Sequence, residues 1–352
     1  MQLSVCMITK NEKQNLERCL RQLVPYPFEL VVADTGSTDG TIAMARQYTE
    51  SVYEFTWCDD FAKAKNFAVS KAKYDQVLVI DSDEYLQKID LETIAAQIHA
   101  FPKAVGRIRR INQILQGGEV RESSEYLNRL FNRRYFHYER KIHEQLVSID
   151  GHSLETYIAP ITVEHSGYLL SEEERRKKAE RNIRLLEREL AENENDTYIL
   201  YQLGKSYSMA GEYEHACTYF SRALSFDLDP ELEYVIDMVD CYGYALLNSG
   251  QAEQALGFEG IYHAFGKRAD FQFLMGLIYM NNEKFESAIR EFMKAAQQKE
   301  CMVKGVNGHL AYYNAGVIYE CLGEREKARA LYEKCGGYSR AKERLAALGK
   351  RL

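Results

Sequence analysis

Residues 76–84 read Gln-Val-Leu-Val-Ile-Asp-Ser-Asp-Glu, an apolar run that ends in an acidic turn. The length and β-branched residues of Gln76–Ile80 predict a buried strand. Carboxylates two residues apart at a strand end, here Asp81 and Asp83, can reach one cation, because Mg²⁺ and Mn²⁺ prefer oxygen ligands. Acidic turns after strands are common, so the interpretation of this segment depends on the rest of the chain.

Strands and helices alternate upstream of this segment. Short apolar runs predict three more strands, and apolar residues at helical spacing predict helices between them. This alternation predicts an α/β domain with a mostly parallel, Rossmann-like sheet and helices on both faces. Ligands of such sheets bind beyond the carboxyl ends of the strands. The predicted strands are Leu3–Ile8, Phe28–Ala33 and Val52–Phe55, and the helices are Asn11–Leu23, Thr41–Tyr48 and Phe61–Lys71.

Polar loops follow three of these strands, at Thr9–Glu12, Asp34–Gly40 and Asp81–Glu84. The second loop combines carboxylates, hydroxyls and two glycines, which suits binding of a base and a ribose. The alternative is a plain strand–helix turn capped by Asp39 or Thr41. That alternative accounts for Asp39 better than for Asp34.

Lys65 and two later stretches add candidate residues. The Lys65 side chain could meet a phosphate, or it could be a solvated helix lysine. In the polar stretch 138–145, Glu144 is the candidate general base and His143 the second choice, because a sugar acceptor must lose a proton during attack. His165, before a turn at Gly167, could supply a nitrogen ligand to the metal. Each histidine could instead be structural.

The second half of the chain is helical and carries a repeat. Four glycines are each followed twelve residues later by an alanine, which is typical of the close helix pairs of tetratricopeptide repeats. Generic helical hairpins are the alternative. We predict a catalytic domain at 1–170, a charged linker helix at 171–195, and repeats with a final capping helix at 196–352. The pairs are Gly204 and Ala216, Gly243 and Ala255, Gly276 and Ala288, and Gly316 and Ala328.

Composition narrows the function classes. The formal net charge of -7 argues against a general nucleic-acid binder, which normally has a basic face. The apolar runs are too short to cross a bilayer, and the first residues lack the pattern of a signal peptide. The eight cysteines form no Cys-x-x-Cys pair, which is typical of reduced thiols. We therefore expect a cytoplasmic protein.

Four motifs together resemble those of family 2 inverting glycosyltransferases with the GT-A fold. They occur in order at 4–12, 34–39, 60–66 and 81–83, and the likeness covers about residues 1–170. Ile142-His143-Glu144, His165-x-Gly167-Tyr168 and the repeats are similar to one branch of that family. That branch includes the peptide S-glycosyltransferase of sublancin biosynthesis, which attaches a hexose to a cysteine of a bacteriocin precursor. Lipopolysaccharide-core transferases share much of the pattern.

The resemblance implies a nucleotide-sugar donor, UDP-glucose or UDP-N-acetylglucosamine, with Mg²⁺ or Mn²⁺. Thr35 stands where many members have a second aspartate, so uracil would be recognised by Asp34 alone. Lys65 stands where members of the family frequently have an arginine, so the two-point hydrogen bonding of a guanidinium group is replaced by a point charge. The expected nucleotide-sugar residues are Thr9, Asn11, Glu12, Asp34, Ser37, Lys65, Asp81 and Ser82, the metal ligands Asp83 and His165, and the catalytic residues Glu144 and His143.

The expected reaction is a single displacement with inversion onto a Cys, Ser or Thr side chain of a peptide or protein. A glycan acceptor is the main alternative, and a non-enzymatic peptide-binding adaptor is the other. A processive polysaccharide synthase is disfavoured, since no segment could extrude a polymer. The repeats would bind the acceptor or form a homodimer. Their tyrosines suit peptide recognition, although many occupy core positions of the repeat.

Overall fold

A computed structural model describes residues 2–116, 119–165 and 171–349. The chain forms two compact units, Met1–Ser171 and Glu172–Leu352. The predicted turn at Gly167 and Tyr168 lies outside the described residues. None of the helices in the described ranges combines the length and the apolar character needed to span a membrane.

The first unit is built on one large sheet, a small two-stranded sheet and four helices. The helices are α1 (Lys13–Leu23), α2 (Thr41–Ala45), α3 (Phe61–Ser70) and α4 (Leu91–Ala100). The strands are β1 (Ser4–Thr9), β2 (Glu29–Asp34), β3 (Val52–Glu54), β4 (Gln76–Val79), β5 (Glu84–Ile89), β6 (Val105–Gln116), β7 (Glu119–Asn132), β8 (Phe136–Glu139), β9 (Gln145–Ser148) and β10 (Thr156–His165).

The large sheet has the order β3-β2-β1-β4-β7-β6-β10-β5. Strands β3, β2, β1 and β4 are parallel, and β10 is parallel to β6. Strand β7 runs antiparallel to β4 and β6, and β5 antiparallel to β10. The predicted mostly parallel, Rossmann-like sheet is therefore confirmed. Because β1, β2 and β4 point the same way, the loops that follow them meet at one edge of the sheet.

Helices cover both faces of the parallel strands, which explains why these strands have no polar face. Successive residues of a strand point to opposite faces. Val5 and Met7 of β1 therefore pack in one core with Leu16 and Leu20 of α1. Cys6 packs in the other core, with residues of α3 such as Ala68.

Three helices are shorter than predicted, although α3 ends only one residue early, at Ser70. Helix α1 begins at Lys13 because Asn11 has a left-handed backbone, φ 54°, and its N–H donates to Ser37 Oγ at 2.8 Å. Helix α2 ends at Ala45, three residues before the predicted end. Asp60 caps α3 by accepting from the N–H of Lys63 at 2.9 Å, as expected for a residue before the first helical turn.

The second unit is made of helices that pack as sequential neighbours. It begins with a long charged helix, and its last helix occupies the position of the predicted capping helix. The elements are α5 (Glu172–Glu192), α6 (Thr197–Ala210), α7 (Tyr213–Leu224), α8 (Glu233–Asn248), α9 (Ala252–Ala255), a 3-10 helix (Leu256–Ile261), α10 (Tyr262–Phe265), α11 (Ala269–Asn281), α12 (Phe285–Ala295), α13 (His309–Cys321), α14 (Arg325–Lys334) and α15 (Ser339–Gly349).

The repeat glycines allow an aromatic ring of the next helix to approach. A Cβ at Gly204 would lie 2.4 Å from the Phe220 ring, well inside contact distance. Gly276 meets Phe292 in the same way, and Gly316 meets Tyr332, also sixteen residues later. These contacts explain why a side chain is excluded at the close crossing of each helix pair.

The block that begins at Gly243 differs from the other three. Sixteen residues after this glycine stands Glu259, and a Cβ at Gly243 would instead meet Leu274 of α11. The second helix of the block is broken into α9, the 3-10 helix and α10. Gly257 and Gly260 lie in the 3-10 segment, and glycine disfavours a continuous α-helix.

Candidate functional site

The first two strand-end loops create a buried polar pocket. Thr9 and Asp34 are partners in the β1–β2 register and are both buried. Asp34 Oδ1 accepts the N–H groups of Gly36 and Ser37 at 2.9 and 2.8 Å. Among the described residues, Asp34 Oδ2 and Thr9 Oγ1 are buried with no hydrogen-bond partner. Buried polar atoms without partners cost free energy, so these two oxygens indicate a place for a ligand.

Asn11 and Ser37 tie the two loops together. Besides the bond from Asn11 N–H to Ser37, the N–H of Thr38 donates to Asn11 Oδ1 at 2.8 Å. The N–H of Glu12 donates to Thr41 Oγ1 at 3.2 Å. These bonds shape an open cleft beside the pocket. The cleft is lined by Asn11, Glu12, Lys13, Gln14, Asn15 and Asp39.

Asp81, in the third loop, is held by two buried cations. Lys65 Nζ lies 2.9 Å from Asp81 Oδ1, and Arg129 Nη2 lies 2.6 Å from Asp81 Oδ2. The side chains of Lys65 and Arg129 are only 4% and 9% exposed, against 29% for Asp81. Both oxygens of Asp81 are therefore engaged by protein groups.

The pKa values of this cluster follow from burial and from the opposite charges. Burial alone would raise the pKa of Asp81, but Arg129 and Lys65 hold it well below its usual range. Burial and Arg129 would lower the pKa of Lys65, but Asp81 and Glu144 outweigh them and raise it. Burial raises the pKa of the neighbouring Tyr138 to about 12. Asp81 is thus ionised, and Lys65 and Arg129 are charged, at neutral pH.

Glu144, the predicted base, also contacts Lys65. Its Oε1 lies 2.5 Å from Lys65 Nζ, and no described residue makes a hydrogen bond or an ion pair with its Oε2. The neighbouring residue Asn66 ties helix α3 to strand β8 beside Lys65, because its side chain exchanges hydrogen bonds of 2.8 and 2.9 Å with the backbone of Tyr138. His143 lies in the same loop with a left-handed backbone, φ 51°.

Asp83 faces His165. Asp83 Oδ2 lies 3.2 Å from His165 Nε2, and His165 Nδ1 lies 2.9 Å from Asn112 Oδ1. The described residues contain no group of three or more His, Cys, Asp or Glu side chains arranged to hold a metal. A carboxylate with one imidazole nitrogen nevertheless suits Mg²⁺ or Mn²⁺, which take further oxygens from substrate phosphates.

Ser82 and Glu84 complete the turn. Ser82 is buried between the two aspartates, and Glu84 is fully buried. Glu84 Oε2 accepts the N–H of Asp81 at 3.0 Å, and Glu84 Oε1 lies 3.1 Å from Arg110 Nη1. The turn is therefore fixed by a buried carboxylate, which keeps Asp81 and Asp83 pointing in different directions.

The structure thus brings the predicted residues into three groups: the pocket of Thr9 and Asp34, the Lys65–Asp81–Glu144 cluster, and the Asp83–His165 pair. Sequence analysis missed several polar partners of these groups. Most of them lie on the β6–β7 ribbon, where charged residues are so frequent that no local signal separates an inward side chain from a solvated one. They are Arg110, Asn112, Glu125, Arg129 and Tyr138.

Comparison with known proteins finds a family match in each unit. Residues 4–153 match the family "Glycosyl transferase family 2". This match lies within the first unit, Met1–Ser171. Tetratricopeptide repeats match residues 197–230, 269–300 and 309–340. The predicted repeats are confirmed there, whereas the irregular block of Gly243 falls between the matched stretches.

Three curated relatives share this similarity at low identity. A TPR repeat-containing protein of Synechococcus elongatus is 26% identical over 92% of this chain and 72% of its own length. The SPbeta prophage-derived glycosyltransferase SunS of Bacillus subtilis is 26% identical over 62% of this chain and 52% of its own. The lipopolysaccharide core biosynthesis glycosyltransferase LpsC of Rhizobium meliloti is 30% identical over 41% of this chain and 57% of its own.

The chain therefore spans little more than half the length of these two glycosyltransferases. The family 2 match and the names of these relatives support glycosyltransferase activity, as predicted.

Proposed function

We propose that the chain transfers a hexose or an N-acetylhexosamine from a UDP-linked sugar to an acceptor nucleophile, with inversion and with a divalent cation. The observation that carries this proposal is the common edge of the sheet. Three features meet there, at the carboxyl ends of neighbouring strands or on residues that contact them. They are the partnerless oxygens of Asp34 and Thr9, the Asp83–His165 pair and the loop after β4.

The nucleoside occupies the pocket of Thr9 and Asp34. Asp34 Oδ2 is acceptor-only when ionised, so it pairs with a ring N–H such as that of uracil. Asn11 and Ser37 already bond to each other, and they shape the pocket from the side of the cleft. Glu12 lines the cleft and faces the ribose in this arrangement.

Asp83 and His165 are the residues that would hold Mg²⁺ or Mn²⁺ beside the diphosphate. When bound, the cation supplies Lewis-acid stabilisation of the negative charge on the departing nucleoside diphosphate. Asp81 has a different task. It keeps the Lys65 and Arg129 cations buried next to the diphosphate site, and Ser82 holds the turn between the two carboxylates.

Glu144 acts as the general base through Oε2. The acceptor hydroxyl or thiol gives its proton to this oxygen while its O or S atom forms a bond to the anomeric carbon. The bond from that carbon to the diphosphate oxygen breaks, and its electron pair leaves with the nucleoside diphosphate. Lys65 orients Glu144 through Oε1, and His143 is the second candidate for the base.

The proposed acceptor is a Cys, Ser or Thr side chain of a peptide of the bacteriocin type, selected by the repeats. The similarity to SunS and the presence of repeats support a peptide. A lipopolysaccharide-core or other cell-surface glycan is the second candidate, supported by the similarity to LpsC. A homodimer is the other role for the repeats. We place the reaction in the cytoplasm, in keeping with eight free cysteines.

The test is a mass-shift assay with Mn²⁺. The full chain is incubated with UDP-glucose or UDP-N-acetylglucosamine and with Cys-, Ser- and Thr-containing peptides or glycan acceptors. We expect metal-dependent transfer that Asp83→Ala abolishes and that the matched variant Asp150→Ala, in an exposed turn, retains.

Two results would contradict the proposal. Near-full activity of Asp83→Ala would rule out the metal assignment. No hydrolysis or transfer of any sugar nucleotide by the wild-type chain would favour a non-enzymatic adaptor. If the sugar is transferred to a glycan and to none of the peptides, the acceptor is the second candidate, a glycan.

A further inference from the structure

A line of buried contacts leads to the Asp83–His165 pair from the β6–β7 ribbon. Glu125 Oε1 accepts from Asn112 Nδ2 at 2.6 Å, and Asn112 Oδ1 lies 2.9 Å from His165 Nδ1. Asn112 and His165 are only 5% and 6% exposed, and they are register partners of the parallel strands β6 and β10. The sheet therefore fixes the spacing of this line.

The hydrogen-bond network assigns the orientation of the Asn112 amide. Glu125 Oε1 also accepts from Arg110 Nε and Nη2, at 3.1 and 2.8 Å. An ionised carboxylate can only accept, so the amide nitrogen of Asn112 must face Glu125. The amide oxygen then faces the imidazole, and His165 Nδ1 must be the donor.

The donor at Nδ1 determines what the other ring nitrogen can do. A neutral imidazole that is protonated on Nδ1 carries a lone pair on Nε2. Nε2 is the atom that lies 3.2 Å from Asp83 Oδ2. A ring that also carries a proton on Nε2 donates it to Asp83 Oδ2, whereas the neutral ring directs its lone pair toward the same place as the carboxylate oxygen, which suits a shared cation.

We propose that Asn112 and Glu125 are positioning residues that hold His165 as the Nδ1–H tautomer, with Nε2 directed at the cation site beside Asp83. Glu125 orients Asn112, and Asn112 orients His165. The use of Nε2 as a ligand rests on the metal site proposed above, whereas the Nδ1–H bond to Asn112 does not depend on a metal.

The tautomer is tested by nitrogen NMR of the full chain labelled in its eight histidines. The signal of His165 is identified by its loss in His165→Gln. At pH 8 we expect a protonated Nδ1 in the wild type, and loss of that proton in favour of the Nε2–H form in Asn112→Leu. An unprotonated Nδ1 in the wild type, or an unchanged spectrum in Asn112→Leu, would overturn the proposal.

The role in metal binding is tested by titrating Mn²⁺ in the presence of UDP. Outer residues that orient a metal-bound histidine change the affinity by about 10- to 100-fold, so we expect a loss of that size in Asn112→Leu. Asn128→Leu makes the same change on β7 and should bind as the wild type does. Glu125→Gln keeps an acceptor oxygen and should lie between the two.

The outcomes separate this inference from the proposed function. If the wild type binds Mn²⁺ and Asn112→Leu binds it equally well, the positioning role is wrong and the metal site stands. If the wild type binds no Mn²⁺, the metal site is wrong, and the NMR result still decides the tautomer. Thermal unfolding of each variant shows whether a loss comes from misfolding, and Glu125→Gln serves if Asn112→Leu does not fold.

Discussion

Asp81 and Asp83 lie two residues apart in one turn, and the structure surrounds them differently. Asp81 is paired with Lys65 and Arg129, two cations with almost no exposed surface. Asp83 is 24% exposed and faces His165, whose ring is oriented by an amide. Lys65 and Arg129 therefore compensate the charge of Asp81, whereas Asp83 and His165 form the pair that we propose to hold a cation.

The difference shows why an acidic pair in a sequence should not be assigned one role. A carboxylate between two buried cations stabilises the fold, since removing it would leave each of them with one compensating charge fewer. A carboxylate beside an imidazole adds little to stability but can bind a metal. The comparison predicts that substitutions at the two positions affect different properties.

The largest expected effect is on catalysis, at Glu144, which shares the Lys65 cation with Asp81. Glu144→Gln removes the proposed base while keeping the shape of the side chain, and kcat should fall by about 10²- to 10⁴-fold. UDP binding should change little. The matched control is Glu139→Gln, because Glu139 is an exposed carboxylate at the end of strand β8. The measurement is steady-state transfer together with UDP titration.

A small loss of activity in Glu144→Gln would mean that Glu144 serves only as a partner of Lys65. A thiol acceptor would also reduce the effect, because thiolates form readily. Comparing a Cys peptide with a Ser peptide separates these two explanations.

A smaller effect is expected on stability, from Asp81→Asn. This change leaves Lys65 and Arg129 with one compensating charge fewer, and we expect a loss of ~3 kcal/mol in the free energy of unfolding of the first unit. Asp83→Asn is the matched control and should cost less than ~1 kcal/mol, as partly exposed charges do. The single tryptophan, Trp57, reports urea unfolding of this unit.

The stability difference between wild type and Asp81→Asn should also depend on pH. The pKa of Asp81 is lowered in the folded state, so its stabilising contribution is present above the unfolded pKa, about 3.9, and is lost as the pH falls further. The gap between the two proteins should be constant between about pH 5 and 8 and close in acid. A gap of undiminished size at pH 2 would show that the loss does not come from the charge.

The smallest expected effect is at Tyr138. Its hydroxyl is buried and has no hydrogen-bond partner within the described residues. Tyr138→Phe removes this unsatisfied group, so stability should be unchanged or rise by about 1 kcal/mol. Tyr85→Phe is the contrasting variant, because Tyr85 Oη donates to Asn15 at 2.7 Å, and it should cost about 1 kcal/mol. A clear loss in Tyr138→Phe would indicate a partner for this hydroxyl.

The strands of the parallel half could be predicted to within a residue or two at each end. Leu3–Ile8 was expected and Ser4–Thr9 is found, because helices bury both faces and the strand reads as one apolar run. The ends of α1 and α2 were less predictable. They depend on the bond from Asn11 to Ser37 and on other contacts between loops that are distant in sequence.

The prediction of the repeats from the sequence was limited in the same way. The glycine and alanine spacing predicted the helix pairs, since it repeats the local condition for close packing. It did not predict the broken helix after Ala255, where glycines and the missing aromatic residue at position 259 change the packing.

By itself, the sequence determined the order of the first four strands and the helices between them, the position of the polar loops at strand ends, and the candidate residues Asp34, Asp83, Glu144 and His165. These follow from local patterns, in which burial alternates with a fixed period. The tertiary structure alone decided which partner each carboxylate receives. Arg129 reaches Asp81 and Asn112 reaches His165 only because β7 and β10 pair with particular strands in a particular register. A charge on a strand has no partner until that register exists.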